Sequence, residues 1–565
     1  MRGGEGDDVY YIYLDEGFDK INDASGDEDW FGFVGREFLN NPHSLERVGD
    51  DLIAKLYSDV TDSSILAQVV IENHFTTGAI EFDVIWDQDT LEELEVFEFC
   101  YLNPTDPGSD NLIIGSTSAD TLSSGAGDDA VYAGAGDDNI IAASGMGDDF
   151  YDGGGGTDTV IFSSANAGIF VDLMSESAGS ISDDAGIGQD IVRNIENVIA
   201  GSFNDRVFGD TKDNVVDGGI GDDVVFGGLG NDSLEGGAGD DTLEGGIGAD
   251  TVDGGNGTDV LSYSGSSGGV IVDLLTGGAF GFDAAGDLFS NVEGLSGSGF
   301  FDILLGGLDD NTLDGGGGND FVFGRFGDDM VFGGEGDDAL FGDDASGFPD
   351  GIPGIDYGAD QLYGGAGNDN MYGEGGADFL DGGADTDLAN YETSPLGVVV
   401  DLANSIGYGP EGSYSVGDTY ANVENVRGSA FDDILIGTTG DNVLEGGGGN
   451  DLLIGSVGAD ILSGGAGVDT FAISSVSEGG DIIADFSPTD GEKIDLSTLF
   501  AAHGLPTDDP VGDGILRIED LLGNGQHTAI LLDLDGFAGD DDPFTLYTLV
   551  NTDADDVEFG THVIV

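Results

Sequence analysis

The chain has 565 residues, with 113 Asp plus Glu against 12 Lys plus Arg and a formal charge of -101 at neutral pH. A field of that size argues against nucleic acid and anionic membrane surfaces as partners, opposes compaction by self-repulsion, and favours a counter-cation. The length suggests several domains, and a single cysteine, Cys100, leaves no intrachain disulfide and no cysteine-built metal site.

Residues 1–105 open with "MRGGEGDDVYYIYL", where no basic segment leads into an apolar run, so no cleavable signal peptide is expected. The phrase "GGEGDDVYY" (residues 3–11) reads as one unit of the repeat that follows, with Asp8 in its acidic position. It leaves open a longer protein of which this is the C-terminal part. The remainder to residue 105 reads as a β-rich module. No apolar stretch approaches the roughly 18 residues of a membrane span.

From residue 106 a nine-residue phrase dominates. Its clearest stretch is "GGIGDDVVFGGLGNDSLEGGAGDDTLEGGIGADTVDGGNGTDVLS", residues 218–262. It places Asp223, Asp232, Asp241, Asp250 and Asp259 nine apart, with Val225, Leu234, Leu243, Val252 and Leu261 two places after each. Four blocks share the pattern. Block 1 (106–163) carries Asp120, Asp129, Asp138, Asp149 and Asp158. Block 2 (200–262) adds Asp205 and Asn214 ahead of the five already named. Block 3 (297–390, interrupted at 343–356) carries Asp302, Asp320, Asp329, Asp338, Asp360, Asp369, Asp378 and Asp387. Block 4 (428–472) carries Asp433, Asp451, Asp460 and Asp469.

In the unit G-G-x-G-x-D-x-U-x, with U a large apolar residue, the glycines permit a tight turn over six positions. The last three alternate polar, apolar, polar, as in a very short strand with one inward side chain. One unit cannot bury its U residue alone, but successive units forming opposite walls of a coil stack those residues into a continuous core. Two units per turn bring residues 18 apart into register, so Asp223, Asp241 and Asp259 line one edge and Asp232 and Asp250 the other. Bare carboxylates at the rung spacing of about 4.8 Å repel by roughly 1 kcal/mol in water and about 3–4 kcal/mol at an effective dielectric of about 20. A hard divalent cation reverses that sign. Calcium takes about six to eight oxygens in loose geometry, which Asp carboxylates and the bared carbonyls of Gly-rich turns can supply; magnesium demands a stricter octahedron. The columns therefore read as calcium ladders, with Ca2+ at many sites.

Between the blocks lie three spacers (164–199, 263–296 and 391–427) sharing "GIFVDL", "GVIVDL" or "GVVVDL" and ending in N-[IV]-E at Asn194 to Glu196, Asn291 to Glu293 and Asn422 to Glu424. They read as β-rich rungs continuing the coil, with Glu196, Glu293 and Glu424 expected to cap or hydrogen-bond rather than to ligate. Residues 473–565 read as a C-terminal capping region. The expected class is all-β: calcium-loaded parallel β-roll (β-solenoid) blocks separated by β-rich spacers, with β-rich terminal modules.

These phrases resemble the RTX family of bacterial secreted proteins. The nonapeptides look like that family's parallel β-roll, in which Asp carboxylates and turn carbonyls hold calcium. "GGEGDDVYYIYLDEGFDKIND", "LERVGDDLIAKLYSD" and "VVIENHF" are similar to the β-rich region after the repeats of haemolysin-type toxins. "DTFAISSVSEGGDIIADFSPTDGEKIDLSTLF" (residues 469–500) resembles the region that joins the β-roll to the secretion signal in serralysin-type proteases, and the ending "THVIV" suits such tails. The resemblance implies export through a type I channel on an uncleaved C-terminal signal, to the cell surface or beyond, with folding driven by extracellular calcium.

A catalytic constellation is not found. There is no HExxH, and His43, His74, His503, His527 and His562 are scattered. One G-x-S-x-G occurs at Gly265–Gly269, but Ser267 aligns with Asn166 and Pro395 in the sister spacers and reads as a turn serine. Three readings remain. The first is a secreted structural or interaction protein, adhesin- or matrix-like. The second is a calcium-dependent polysaccharide-binding module, because "VVVDLANS…NVENVRGSAFDDIL" resembles accessory modules of mannuronan epimerases. The cations that would grip an acidic polymer, Arg193, Arg206, Lys212, Arg325 and Arg427, are dispersed. The third is the non-catalytic part of a larger toxin or enzyme.

Overall fold

The computed structural model describes residues 112–565, apart from residues 116, 143–146, 181–186, 344–357, 522–526 and 535–542, together with the backbone pairing of eight strands between residues 9 and 99. Asp8 lies outside the described residues. Two compact units are present: Met1–Ser262 with Ala285–Val292, and Tyr263–Ala284 with Glu293–Val565.

In the first unit the expected coil is seen rung by rung. One wall stacks the parallel strands Arg206–Phe208, Val224–Leu229, Thr242–Ile247 and Val260–Ser262, in a register that places Val207 beside Val225, Val225 beside Leu243, and Leu243 beside Leu261. The facing wall stacks Asn197–Ser202, Val215–Ile220, Ser233–Ala238 and Thr251–Asn256, with Val216, Leu234 and Val252 aligned. The U residues of both walls meet in a single file and are fully buried. Each fully buried Val or Leu contributes roughly 1.5–3 kcal/mol, so the core is long but only two side chains thick.

The middle strands of block 2, from Val215–Ile220 to Thr251–Asn256, are twice as long as the phrase suggests. Val224–Leu229 and Thr242–Ile247 keep pairing through the glycines, with Gly228 opposite Gly246 and Leu229 opposite Ile247. With no side chains in the way, backbone amides continue the ladder into what reads as turn. In block 4 the strands stay at three residues, as in Leu452–Ile454.

The second unit repeats the plan. One wall runs Ile303–Leu305, Phe321–Arg325, Ala339–Asp343, Asn370–Tyr372 and Leu388–Asn390, and continues through Asn425–Arg427, Val443–Glu445, Ile461–Ser463 and Asp481–Ile483. Asp343, counted with the interruption in the sequence, is the last residue of its strand and pairs with Arg325. The tail joins the same ladders. Phe544–Val550 pairs with Asp481–Ile483, and Val563–Ile564 with Lys493–Asp495, while the antiparallel strands Leu516–Asp520 and His527–Leu532 and the helix Ser497–His503 close over the end.

Each spacer is a rung with an excursion. Ile169–Asp172, Ile271–Asp273 and Val399–Asp401 pair in parallel with the next rung and, on their other side, antiparallel with Ser177–Ser180, Gly278–Phe280 and Ile406–Tyr408. The Asn of each N-[IV]-E motif turns the chain at φ 51, 52 and 47, a left-handed region Asn tolerates. Its amide donates to Asp152, Asp253 or Asp381 at 2.6–2.7 Å. Leu243→Ala should lower the stability of the calcium-loaded protein by about 2–5 kcal/mol, read as a lower urea midpoint, while Thr242→Ala, one place along on the outer face, should shift it little.

Candidate metal centre

The strand alternation that turns Leu243 into the core leaves Asp241 two places earlier at the lip of the turn, and stacking repeats this on every rung. Asp223, Asp232 and Asp241 are no more than 2% exposed. One oxygen of each carboxylate is committed to the backbone. Asp223 N–H donates to Asp241 Oδ1 at 2.7 Å and Asp241 N–H to Asp259 Oδ1 at 2.8 Å; on the other edge Asp232 N–H donates to Asp250 Oδ1 at 2.8 Å. The same link joins Asp120 to Asp138, Asp129 to Asp149 and Asp138 to Asp158 in block 1, Asp302 to Asp320 and Asp320 to Asp338 in block 3, and Asp433 to Asp451 and Asp451 to Asp469 in block 4. The interruption does not break the columns. Asp329 bonds Asp360 and Asp338 bonds Asp369, 31 positions away instead of 18, and the column then resumes from Asp360 to Asp378 and from Asp369 to Asp387.

The second oxygen is the one that matters chemically. Oδ2 of Asp138, Asp158, Asp205, Asp223, Asp232, Asp241, Asp250, Asp320, Asp338, Asp369, Asp451 and Asp469 is buried and accepts no hydrogen bond. In Asp223, Asp232, Asp241, Asp320, Asp338, Asp369 and Asp451 it faces the first glycine of its own unit and a glycine carbonyl of the next rung. A methyl group placed on Gly218 would meet Asp223 Oδ2 and the Gly236 carbonyl oxygen, each at 2.7 Å. On Gly333 it would meet Asp338 Oδ2 at 2.5 Å and the Gly364 carbonyl oxygen at 2.6 Å. Anionic and carbonyl oxygens thus converge at each turn with no donor between them. Buried acceptors of this kind call for a bound ion, and an all-oxygen set of irregular geometry suits calcium. Among the described residues no three His, Cys, Asp or Glu side chains cluster as a metal site. An ion held here would draw on one carboxylate oxygen per rung together with turn carbonyls, as at Asp223 and Gly236.

Burial acts on these groups as expected for a column lacking its cation. Desolvation, reinforced by neighbouring carboxylates, pushes the Asp241 carboxyl up to about 7 and those of Asp329 and Asp451 up to about 8.

Not every acidic position of the phrase is equivalent. Asp302 and Asp433, which open blocks 3 and 4, have their second oxygen taken by the backbone N–H of Ser298 and Ser429, both at 2.6 Å. Asp149 Oδ2 accepts the Tyr151 hydroxyl at 2.6 Å. Asn214, Asn311 and Asn442 stand in the columns as neutral members, and their amides donate to the carbonyls of Glu196, Glu293 and Glu424 at 2.8, 2.9 and 2.6 Å. Glu196 and Glu424 accept the N–H of Asp158 and Asp387 through their side chains, as hydrogen-bonding residues, and Glu196 also pairs with Lys212 at 2.6 Å. Ser267 lies in an exposed bend.

Two sets of residues escape the sequence reading. Asp190, Asp287 and Asp418 carry the columns through the spacers by accepting the N–H of Asp149, Asp250 and Asp378 at 2.9–3.0 Å. Their signal is faint: a Gly one or two places before an Asp. The second set is an outer rail formed by the residue before each column Asp. Asp222 accepts from Asp240 N–H, Asp240 from Thr258 N–H, Asp432 from Asn450 N–H and Asn450 from Val468 N–H. This position is Asp or Asn through most of each block and becomes Ala249 and Thr258, Ala377 and Thr386, or Ala459 and Val468 in the last two units of blocks 2, 3 and 4.

Comparison with known families decides the identity of this phrase. The family of the RTX calcium-binding nonapeptide repeat matches residues 108–140, 143–160, 199–234, 226–261, 296–331, 322–347, 355–389, 427–462 and 436–471. These are RTX calcium-binding nonapeptide repeats. No curated protein matches the chain. RTX repeats bind Ca2+ and form β-rolls, and the oxygen-lined turns offer donors of the kind calcium takes.

Two outcomes follow from the geometry. A methyl on Gly218 falls 2.7 Å from both Asp223 Oδ2 and the Gly236 carbonyl oxygen, so Gly218→Ala should displace both oxygens, weakening calcium binding at that turn and raising the calcium needed for folding, measurable by titration. The second concerns pH. Carboxyls whose folded value is raised stabilise the metal-free fold fully below their unfolded value near 4, and that stability is lost as pH climbs through about 7 to 8. In chelator, circular dichroism should show β structure favoured at about pH 4 and lost by about pH 8, and added calcium should reverse the loss at the higher pH.

Proposed function

We propose that this chain is the calcium-folded part of a secreted structural or interaction protein, held unfolded where calcium is scarce and folded into its coils where it is plentiful. The buried, donorless Asp oxygen repeated along the RTX columns carries the reading, because it makes the fold conditional on a cation rather than merely decorated by one. Extracellular calcium sites have dissociation constants of about 10⁻⁴–10⁻³ M, too weak to matter singly. Coupled along a solenoid they give a steep transition. An unfolded chain in a low-calcium cytosol suits passage through a type I channel, and the family's members are typically secreted. Among the described residues no helix is long and apolar enough to cross a membrane.

A polysaccharide-binding role has less support. Arg193 pairs with Glu176, Lys212 with Glu196, Arg325 with Asp273, and Arg427 with Glu392 and Glu445, so four of the five scattered cations are engaged inside the protein. An anionic glycan would have to be bridged by calcium.

Calcium titration of the chelator-treated full chain, followed by circular dichroism at pH 7.5, tests the proposal. A disordered spectrum should give way to β structure in one cooperative step in the millimolar range. A β spectrum indifferent to chelator would contradict it.

A further inference from the structure

The second position of the RTX unit is normally a glycine in the left-handed region, as at Gly228 (φ 103), Gly237 (φ 111) and Gly246 (φ 92). On one edge of the second unit three successive rungs break that rule. Arg325 pairs in register with Asp343, and the pairing of Phe341 with Tyr372 sets Glu374 on the rung after Asp343. Three charged side chains therefore follow one another where most units carry glycine.

Their surroundings differ. Arg325 turns away to grip Asp273 through both terminal nitrogens, at 2.8 and 3.3 Å, and donates to the Gly306 carbonyl at 2.9 Å. Glu374 is buried and accepts the Thr393 hydroxyl at 2.9 and 3.1 Å. Asp343 has nothing comparable. It is 1% exposed, and both of its carboxylate oxygens are buried without a hydrogen bond. The Gly375 N–H eases its charge from nearby without reaching hydrogen-bonding geometry, while Asp329, Asp360 and Glu374 all act on it with like charge. In the column proper one oxygen of each Asp is committed to backbone. In Asp343 both are left open.

We infer that Asp343 is the core of an additional calcium site, outside the Asp columns, which draws on the carboxylates and turn carbonyls of its own and the adjoining rungs. An ionised carboxylate taken wholly out of water costs several kcal/mol unless a counter-charge meets it, and the stacked cation that could have done so, Arg325, is held by Asp273. A hard divalent ion meets the charge and fills both oxygens at once. The site rests on calcium being the ion of the neighbouring columns, since it borrows their oxygens. Its residues all belong to described rungs of one unit.

The test counts ions on the full chain by native mass spectrometry across a calcium series. Asp343→Gly restores the residue that other RTX units carry at this position, and Asp343→Asn keeps the shape while removing the charge. Each should hold one calcium fewer than the wild type at saturation while giving the wild-type β spectrum in millimolar calcium. An unchanged count in either folded variant overturns the inference and marks Asp343 as a neutral, protonated carboxyl. If Asp343→Gly does not fold, Asp343→Asn decides alone. A wild type that binds no calcium at all would instead sink the reading of the columns themselves.

Discussion

A buried carboxylate oxygen with no donor beside it recurs at nearly every turn of the described coil, and the protein's behaviour is organised around it. Leaving such a charge unmet costs several kcal/mol after relaxation, which exceeds the roughly 1.5–3 kcal/mol that each buried Val or Leu contributes. A coil two side chains thick cannot absorb that deficit on every rung. A cation seated against Asp223 Oδ2 and the Gly236 carbonyl would convert that unfavourable term into a favourable one. The same carboxylate accepts, through its other oxygen, the N–H of the preceding column residue. The carboxylate is thus also a link in the backbone ladder, so an ion bound on one rung would help organise the next. This is the physical content of cooperativity in a one-dimensional repeat.

The ends of the blocks show how the fold stops needing ions. Asp302 and Asp433 satisfy their second oxygen with serine, Asn214, Asn311 and Asn442 replace the charge by an amide, and Asp149 is met by a tyrosine hydroxyl. At the C-terminal end of block 4, Asp485 accepts from Ser463 Oγ and from the N–H groups of Gly464 and Gly465, closing the last glycine turn with a side chain. Ion-dependent stretches are therefore bounded by ordinary hydrogen bonds. Block lengths, and with them the size of each cooperative segment, are written into a few neutral residues.

Much of this was legible in the sequence because the repeat is local. An Asp every ninth place with an apolar residue two places on fixes both the 18-residue rung and the face each side chain takes, and Asp241 over Asp223 and Leu243 over Val225 could be placed from spacing alone. What spacing could not show is what breaks phase. Asp190, Asp287 and Asp418 follow their column partners by 41, 37 and 40 residues, because a hairpin of variable length intervenes. The longer strands of block 2 come from glycines that pair as strand although their chemistry reads as turn. Asp343 was invisible as a special residue, since it stands where the repeat ends and the interruption begins; only its depth and lack of partners set it apart.

The most direct test is a crystal structure of the calcium-loaded protein with anomalous scattering recorded for calcium. Ions should appear in rows along both edges, each touching Asp Oδ2 and a glycine carbonyl of the adjoining rung, as at Asp223 and Gly236, and should be missing at Asn311 and Asn442. Rows of carboxylates with water alone between the rungs, in a coil that keeps its shape, would contradict the account.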